Sequence, residues 1–478
     1  MKAKLLLSVI MATVLLLAPC AFSKQAVQDS NSLKKFKTAL EQSGFEVRTG
    51  DVVSENATKA WCDKKINNAL YANIEPYLQV LVPPLLEWVP MTPDFQLDPD
   101  EAIVVIGLTP PPVKYFSYTP YIDLRKFPDR EKVLMASIGD PVNIATINTI
   151  GSPPFNSPVA LIFTPDQGTD ARVRKALLRA GYPEAIINTV VLPESMLRLG
   201  HGKLTSDVLL IMLRTAIWEK ESDRDSYIAH PPLTAFRVTP HSPTKANPFP
   251  PPELRVRGTG HTEMHLMNKL DQLRQGIIDT MSNAHKELEP VDIVLFPMCN
   301  EGHDLIQRGI EMCIDTRDAF YVGAGLPEWD KENHITLEDG EFLMIYGTNH
   351  VATGKATYTN TNVYAVTVTQ EDGLTETAKM TVGAIDDRKY PGTADPYLPA
   401  GDPDAHLMYA YKISRNCDNE DNCLQLYGPD DCPRLLLDHN TVLGVFTRMY
   451  LEPSTRTGPA MPEVLYDRVI KFSKTPTP

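Results

Sequence analysis

The stretch VALIFTPDQGTDARVRKALLRAGYPEAIINTVVLP, residues 159–193, restricts the fold more than any other. Its two ends are short apolar runs rich in β-branched side chains, the composition of buried strands. Between them Val173, Ala176, Leu177 and Ala180 recur at helical spacing, with Asp170 and Gly181 placed as caps. Strand, helix and strand in so short a span imply a parallel pair joined by a right-handed crossover.

Similar runs extend the pattern. AIVVIGL (102–108), VLMASIG (133–139), TAFRVTP and VDIVLFP (291–297) read as strands, and the aromatic VKYFSYTPYIDL reads as a longer one. SDVLLIMLRTAIWEK (206–220) is strongly apolar and long, so it reads as a helix capped by Ser206. The segment after residue 265 reads as an amphipathic helix with a core stripe of Leu266, Leu270, Leu273, Ile277 and Met281, and HDLIQRGIEM as another helix. A proline-rich connector fills 241–254. Beyond 320 the segments are strands with few helices between them, and no internal repeat stands out. The expected fold is α/β, a partly parallel mixed sheet with flanking helices, followed by a β-rich C-terminal part. The expected organisation is a signal peptide at 1–23, an N-terminal helical region at 24–99, an α/β domain at 100–320 and a β-rich region at 321–478.

The leader sets the compartment. Two lysines in MKAK precede an apolar run too short to span a bilayer comfortably, and AFS supplies small residues for cleavage after Ser23. The protein is therefore expected to be secreted or periplasmic. Lipid anchoring through Cys20 is the lesser reading, since Pro19 directly precedes it. No other stretch is long and apolar enough for an integral membrane span. The remaining cysteines, 62, 299, 313, 417, 423 and 432, form an even set suited to disulfides. A 299–313 bridge and a 417–423 or 423–432 bridge fit the spacing. The formal net charge is −14 with no dense Lys/Arg run, which argues against nucleic acid as a partner.

No standard catalytic signature is present. GTNHVATGKA has six residues, not four, between its glycines and Ala356 after the lysine, so it is no phosphate-binding loop. GTGHTEMH (258–265) allows two readings. His261 and His265 share a metal with Glu263 as base or ligand, or Thr262 and Glu263 open a helix. His265 falls off the core stripe beside Lys269, which favours the helix start, and no metal ligand is assigned. CDNEDNC (417–423) alternates Asp418, Glu420 and Asn422 like the start of a calcium loop, but Cys423 replaces the required glycine.

Candidate site residues come from strand ends, where ligands gather in open α/β sheets. His350, Lys355 and Asn349 interrupt apolar strands in YGTNHVATGKATY, and alternation puts Tyr346, Thr348 and His350 on one face. With Glu301 and His303 of CNEGHD they form the candidate catalytic set. Asp140 and Asn143 of GDPVN, Asp170 at a helix start, the pair Arg255 and Arg257, and Tyr118 form the candidate substrate-binding set. The expected function is an enzyme acting on a small or medium organic substrate, its reaction and cofactors unknown. The alternative is an extracytoplasmic protein that binds a small molecule or a surface without catalysis, with the aromatics Tyr115–Tyr121 as its recognition face.

Overall fold

A computed structural model describes residues 30–54, 57–66, 68–69, 77–85, 90–127, 131–297, 316–325, 334–369, 375–427, 432 and 437–474. The first half of the chain comprises α1 (Ser30–Glu41), β1 (Phe45–Thr49), β2 (Asp51–Ser54), α2 (Ala57–Cys62), β3 (Asn68–Ala69), β4 (Leu78–Leu81), β5 (Ala102–Leu108) and β6 (Val113–Lys126). It continues with β7 (Glu131–Ser137), β8 (Val142–Asn143), β9 (Pro158–Thr164), α3 (Gln167–Ala180), β10 (Ile187–Val191), β11 (Val208–Trp218), α4 (Glu221–Ala229) and β12 (Leu233–Pro240). The second half comprises α5 (Met267–Ala284), β13 (Leu288–Ile293), β14 (Phe296–Pro297), β15 (Ala319–Ala324), β16 (Phe342–Thr348) and β17 (Tyr358–Thr369). It ends with β18 (Thr375–Asp386), β19 (Met408–Ser414), β20 (Cys423–Gln425), β21 (Val442–Tyr450) and β22 (Arg468–Lys474).

These strands form four sheets, and the sheets come in two matching pairs. The outer sheets are ordered β1-β12-β5-β9-β10 and β13-β22-β16-β19-β20. The inner sheets are ordered β2-β4-β11-β6-β7 and β14-β15-β21-β17-β18-β3. Taken in chain order, the strands occupy the same places in both halves. Even the single parallel pair of each outer sheet recurs, β9 with β10 and β19 with β20. The molecule is thus a mixed α/β protein with a β-rich C-terminal part, built as a duplicated sandwich. The texture change near 320 falls inside the second sandwich, because β13 and β14 before it pair with β22 and β15 after it.

The duplication can be traced in residues once the registers are known. LDPDEAIVVIG at 97–107 corresponds to LEDGEFLMIYG at 337–347. Glu101 binds the backbone N–H of Asp98, and Glu341 binds that of Glu338. Each glutamate also holds a cation on the neighbouring strand: Arg237 at 2.8 Å and Lys471 at 2.9 Å. Arg237 lies opposite Ile103, and Lys471 lies opposite the corresponding Leu343. Ile217 and Leu451, both at φ above +50°, fall at equivalent points, near the end of β11 and just after β21.

Burial follows from this layering. Helices α1 and α3 cover one face of the first outer sheet through Phe36, Leu40, Val173 and Leu177. Its other face packs on β11 and β6 through Ile103, Leu161, Leu209 and Phe116. In the second half α5 covers the outer sheet with Leu266, Leu270, Leu273, Ile277 and Met281, the stripe read from the sequence. The two inner sheets then face one another, with Tyr115, Ala216, Tyr321, Tyr358 and Tyr450 in one cluster. Segment 206–220 is accordingly a strand and not a helix. An inner strand touches apolar layers on both faces, so its sequence loses the alternation that marks a half-buried strand. The same layering corrects the aromatic recognition face: Tyr115, Tyr118 and Tyr121 are all at most 2% exposed.

The β9–α3–β10 unit forms, with Gly181 as the left-handed C-cap as read, but the N-cap is Asp166, accepting the Thr169 N–H, and Asp170 instead sits inside the first turn. Disulfides join Cys417 to Cys423 and Cys62 to Cys432. The first closes the loop that replaces α3 between β19 and β20. The second replaces the expected 423–432 alternative and fastens α2 of the first half to the second half, where β3 also pairs with β18. Cys299, Cys313 and the leader lie outside the described residues. Among the described residues no helix is long and apolar enough to cross a membrane.

The Glu101–Arg237 pair supplies a stability test. Burial pushes the Glu101 carboxyl up, but hydrogen bonds from His201 and Arg237 outweigh it and hold it at about 2. A depressed carboxylate contributes stability above its ordinary value, which is lost as pH falls through the folded one. Glu101→Gln strands Arg237 and is expected to cost about 3–5 kcal/mol at neutral pH. Urea unfolding between about pH 5 and about pH 2 should then show a shallower loss of stability than the parent.

Candidate functional site

The histidine stretch 258–265 turns out to be an anchor, and its key residue is Glu263. Thr262 caps nothing. A short 3-10 turn over Met264–Leu266 leads into α5, and Glu263 points inward, 1% exposed. Its carboxylate takes the Nδ1–H of His350 at 2.9 Å, the backbone N–H of Leu465 at 2.9 Å and the Thr353 hydroxyl at 2.5 Å. On the other side of the ring, His350 Nε2 lies 3.7 Å from Asp467 Oδ1, an ion pair too long for a hydrogen bond. Burial alone would lower the His350 pKa, but the charges of Glu263 and Asp467 and the hydrogen bond to Glu263 override it and push it up to about 10. The imidazole is therefore held in its charged form at neutral pH.

Lys355 is held in the same way. Its ammonium group meets Glu463 at 2.6 Å, Glu452 at 2.9 Å and the Thr259 hydroxyl at 3.1 Å. Glu463 also accepts the backbone N–H groups of Thr259 and Gly260, so Lys355 and Glu463 together clamp the entry to α5. Asn349 closes its own turn by accepting from Ala352 N–H. His350, Lys355 and Asn349 do come together, as a buried polar tie between α5 and the second sandwich. Glu301 and His303 lie outside the described residues. His261 and His265 are exposed and take no part.

Four of the candidate substrate-binding residues also meet, at the seam between the halves. Asp140 pairs with Arg317 at 2.8 Å and accepts the Arg255 backbone N–H. Arg257 donates to the Ala319 carbonyl at 2.9 Å. Asn143 donates to Asp318 Oδ1 at 2.8 Å, and Tyr115 to its other oxygen at 2.9 Å. Burial pushes Asp318 up to about 7 against those two hydrogen bonds. Asp170 stands apart on α3, bound to Arg174 and Thr189. Tyr118 is in the core of the first sandwich, its ring edge-on to Phe116.

Directly above the Glu263–His350–Asp467 cluster lies an open groove of about 490 Å³. Leu270 and Leu465 line it, Tyr346 and Asp467 border the buried cluster, and Val294 stands at its edge. Met264, Met267 and Met461 rim it and are 40, 36 and 48% exposed. Arg274 pairs with Asp292, and Arg468 with Asp271, so two guanidiniums stand at the mouth. These methionines were passed over in the sequence. Their signal was faint: Met264 sits beside a buried glutamate, and Met461 lies far along the chain. The volume is in the range of small-molecule sites, and methionine adapts its shape to varied apolar ligands.

No family model matches the sequence. No curated protein matches it either. Among solved structures a similarity is found to the N-terminal CBM22-1–CBM22-2 tandem domain of Xyn10C from Paenibacillus barcinonensis, at 8% identity, covering 91% of this chain and 93% of that one, with a TM-score of 0.15. A score that low carries no argument about fold or function.

A structural role for His350 predicts a specific pH dependence. Its folded pKa is raised from 6.5 to about 10. The stabilisation is thus fully present below about pH 6.5 and lost as pH rises toward 10. His350→Gln should lower the urea midpoint at pH 6 by the equivalent of about 3 kcal/mol and flatten the decline between pH 7 and 10. Equal midpoints for parent and variant across that range would reject the ion-pair role.

Proposed function

We propose that the protein is an exported binding protein for a small amphipathic organic molecule with an acidic group, seated in the methionine-rimmed groove beside α5. One observation carries this reading: an apolar groove open to solvent, bordered by three exposed methionines, with Arg274 and Arg468 at its mouth. Exposed apolar surface gathered in a concave site marks ligand binding more often than it marks packing. The guanidiniums already hold exposed carboxylates, and surface pairs of this kind are weak enough for an acidic ligand group to compete. The groups assigned to catalysis favour binding as well. His350 and Lys355 are both charged and committed to buried carboxylates, which suits a rigid floor beneath a ligand. Export is supported by the leader and by the two disulfides, which persist in oxidising compartments.

The test uses anilinonaphthalene sulfonate, a naphthyl ring bearing one sulfonate. The folded parent should give a saturable fluorescence rise. Met264→Glu combined with Met461→Glu should weaken binding at least about tenfold, by removing apolar contact and adding negative charge at the rim. Both positions are substantially exposed, so the urea midpoint should stay unchanged. No saturable rise in the parent, or equal affinity in the variant, would reject the groove as the binding site.

A further inference from the structure

Among the described residues five arginines are at most 8% exposed: Arg125, Arg214, Arg237, Arg317 and Arg448. Three hold a carboxylate, Arg125 with Asp207, Arg237 with Glu101 and Arg317 with Asp140. Arg214 and Arg448 hold none among the described residues. These two are equivalent in the duplicated fold, one on β11 and the other on β21. Arg214 lies opposite Ser117, and Arg448 opposite Asn360.

Alternation along both strands points them into the seam between the inner sheets. Arg214 lies over the rings of Tyr77 and Tyr121, each at 5.2 Å. Arg448 lies over Tyr321 and Tyr364 at 5.4 and 5.5 Å. The two cations converge across the seam, because Arg214 Nη1 also approaches the Tyr321 hydroxyl at 3.5 Å. Tyrosine rings return part of the cost of burying a guanidinium, but they do not neutralise it. Asp318, a carboxyl at this seam, is taken by Asn143 and Tyr115 and pairs with neither arginine. Arg214 Nε, Arg448 Nη1 and the Tyr450 hydroxyl are buried without a hydrogen-bond partner among the described residues.

Two like charges and three unfilled donors, without an acid to match them among the described residues, are the complement of an acceptor-only dianion. We propose that the seam between the two halves is a binding site for a small tetrahedral oxyanion, inorganic phosphate or sulfate, held between Arg214 and Arg448 with a hydrogen bond from Tyr450. The site is distinct from the groove and ties the halves together through a shared ligand.

The experiment is thermal unfolding of the whole protein, freed of oxyanions, in sodium phosphate, sodium sulfate or sodium chloride at matched ionic strength. Phosphate and sulfate should each raise Tm by about 2 °C per tenfold increase once the site saturates, and chloride should not. Arg214→Gln and Arg448→Gln should each abolish that rise and should melt no lower than the parent in chloride. Tyr450→Phe, which removes only a hydroxyl, should keep the rise but require about tenfold more anion. Met264→Glu should respond as the parent does. Identical parent melts in all three salts would overturn the proposal, as would a full oxyanion response in either arginine variant. Loss of stability in both arginine variants with no oxyanion response in the parent would assign the pair to cation–π packing alone.

Discussion

The rest of the structure depends on one constraint: two sheets are buried on both faces. Strands β11 and β21 each pack a core on one side and meet the opposing inner sheet on the other. Polar groups on that second face are removed from bulk solvent and depend on partners within the seam. The two halves satisfy part of this demand in related ways. In β6 the hydroxyls of Tyr115, Ser117 and Thr119 form a chain, and in β17 Tyr358, Asn360 and Asn362 form the matching chain. The two ladders descend the same face at the same register, so the pairing logic was duplicated with the fold while the side chains diverged.

How much of this the sequence disclosed depended on the range of the interaction. Local devices were legible. The β9–α3–β10 unit, the Gly181 cap and the five-residue stripe of α5 all follow from periodicity within one element. Strand β11 was misread because its environment is set by a sheet about 100 to 240 residues later, which removes the alternation that identifies strands. The duplication escaped notice for a related reason. Only a few positions, such as Glu101 and Glu341 or Gly107 and Gly347, keep their identity, and hydrophobic positions exchange freely. The two glycines are kept for closeness: a Cβ on either would meet Pro232 or Asp467 within about 2 Å.

The candidate residues show the same limit at a finer scale. Reading His350 and Lys355 as unusual was sound, since charged groups interrupting apolar strands need a reason. What the sequence withheld was their partners. Glu263, Glu452, Glu463 and Asp467 lie about 90 to 120 positions away, and each looks like an ordinary loop or helix-start carboxylate in isolation. Chemistry and architecture draw on the same residue types, and pairing alone separates them. An arginine inside VLLIMLRTAIW was an equally strong signal, and it was absorbed into a helix reading.

The difference between the halves explains why a groove belongs to the second. In the first sandwich β1 passes to β2 through Gly50 alone, and a Cβ there would collide with the Leu81 carbonyl. The outer and inner sheets are drawn together at that corner. In the second sandwich Val294 and Leu295 separate β13 from β14, which lets the corresponding corner open. Helix α5 is longer than α1, with 18 residues against 12, and its entry is pinned by Glu263 and Glu463 from below. The pinning holds Met264 and Met267 at the mouth while β13 stays an edge strand with Val291 and Val294 exposed. A duplicated scaffold thus supplies two equivalent corners, and a one-residue connection closes the first while a longer one, braced by buried ion pairs, holds the second open.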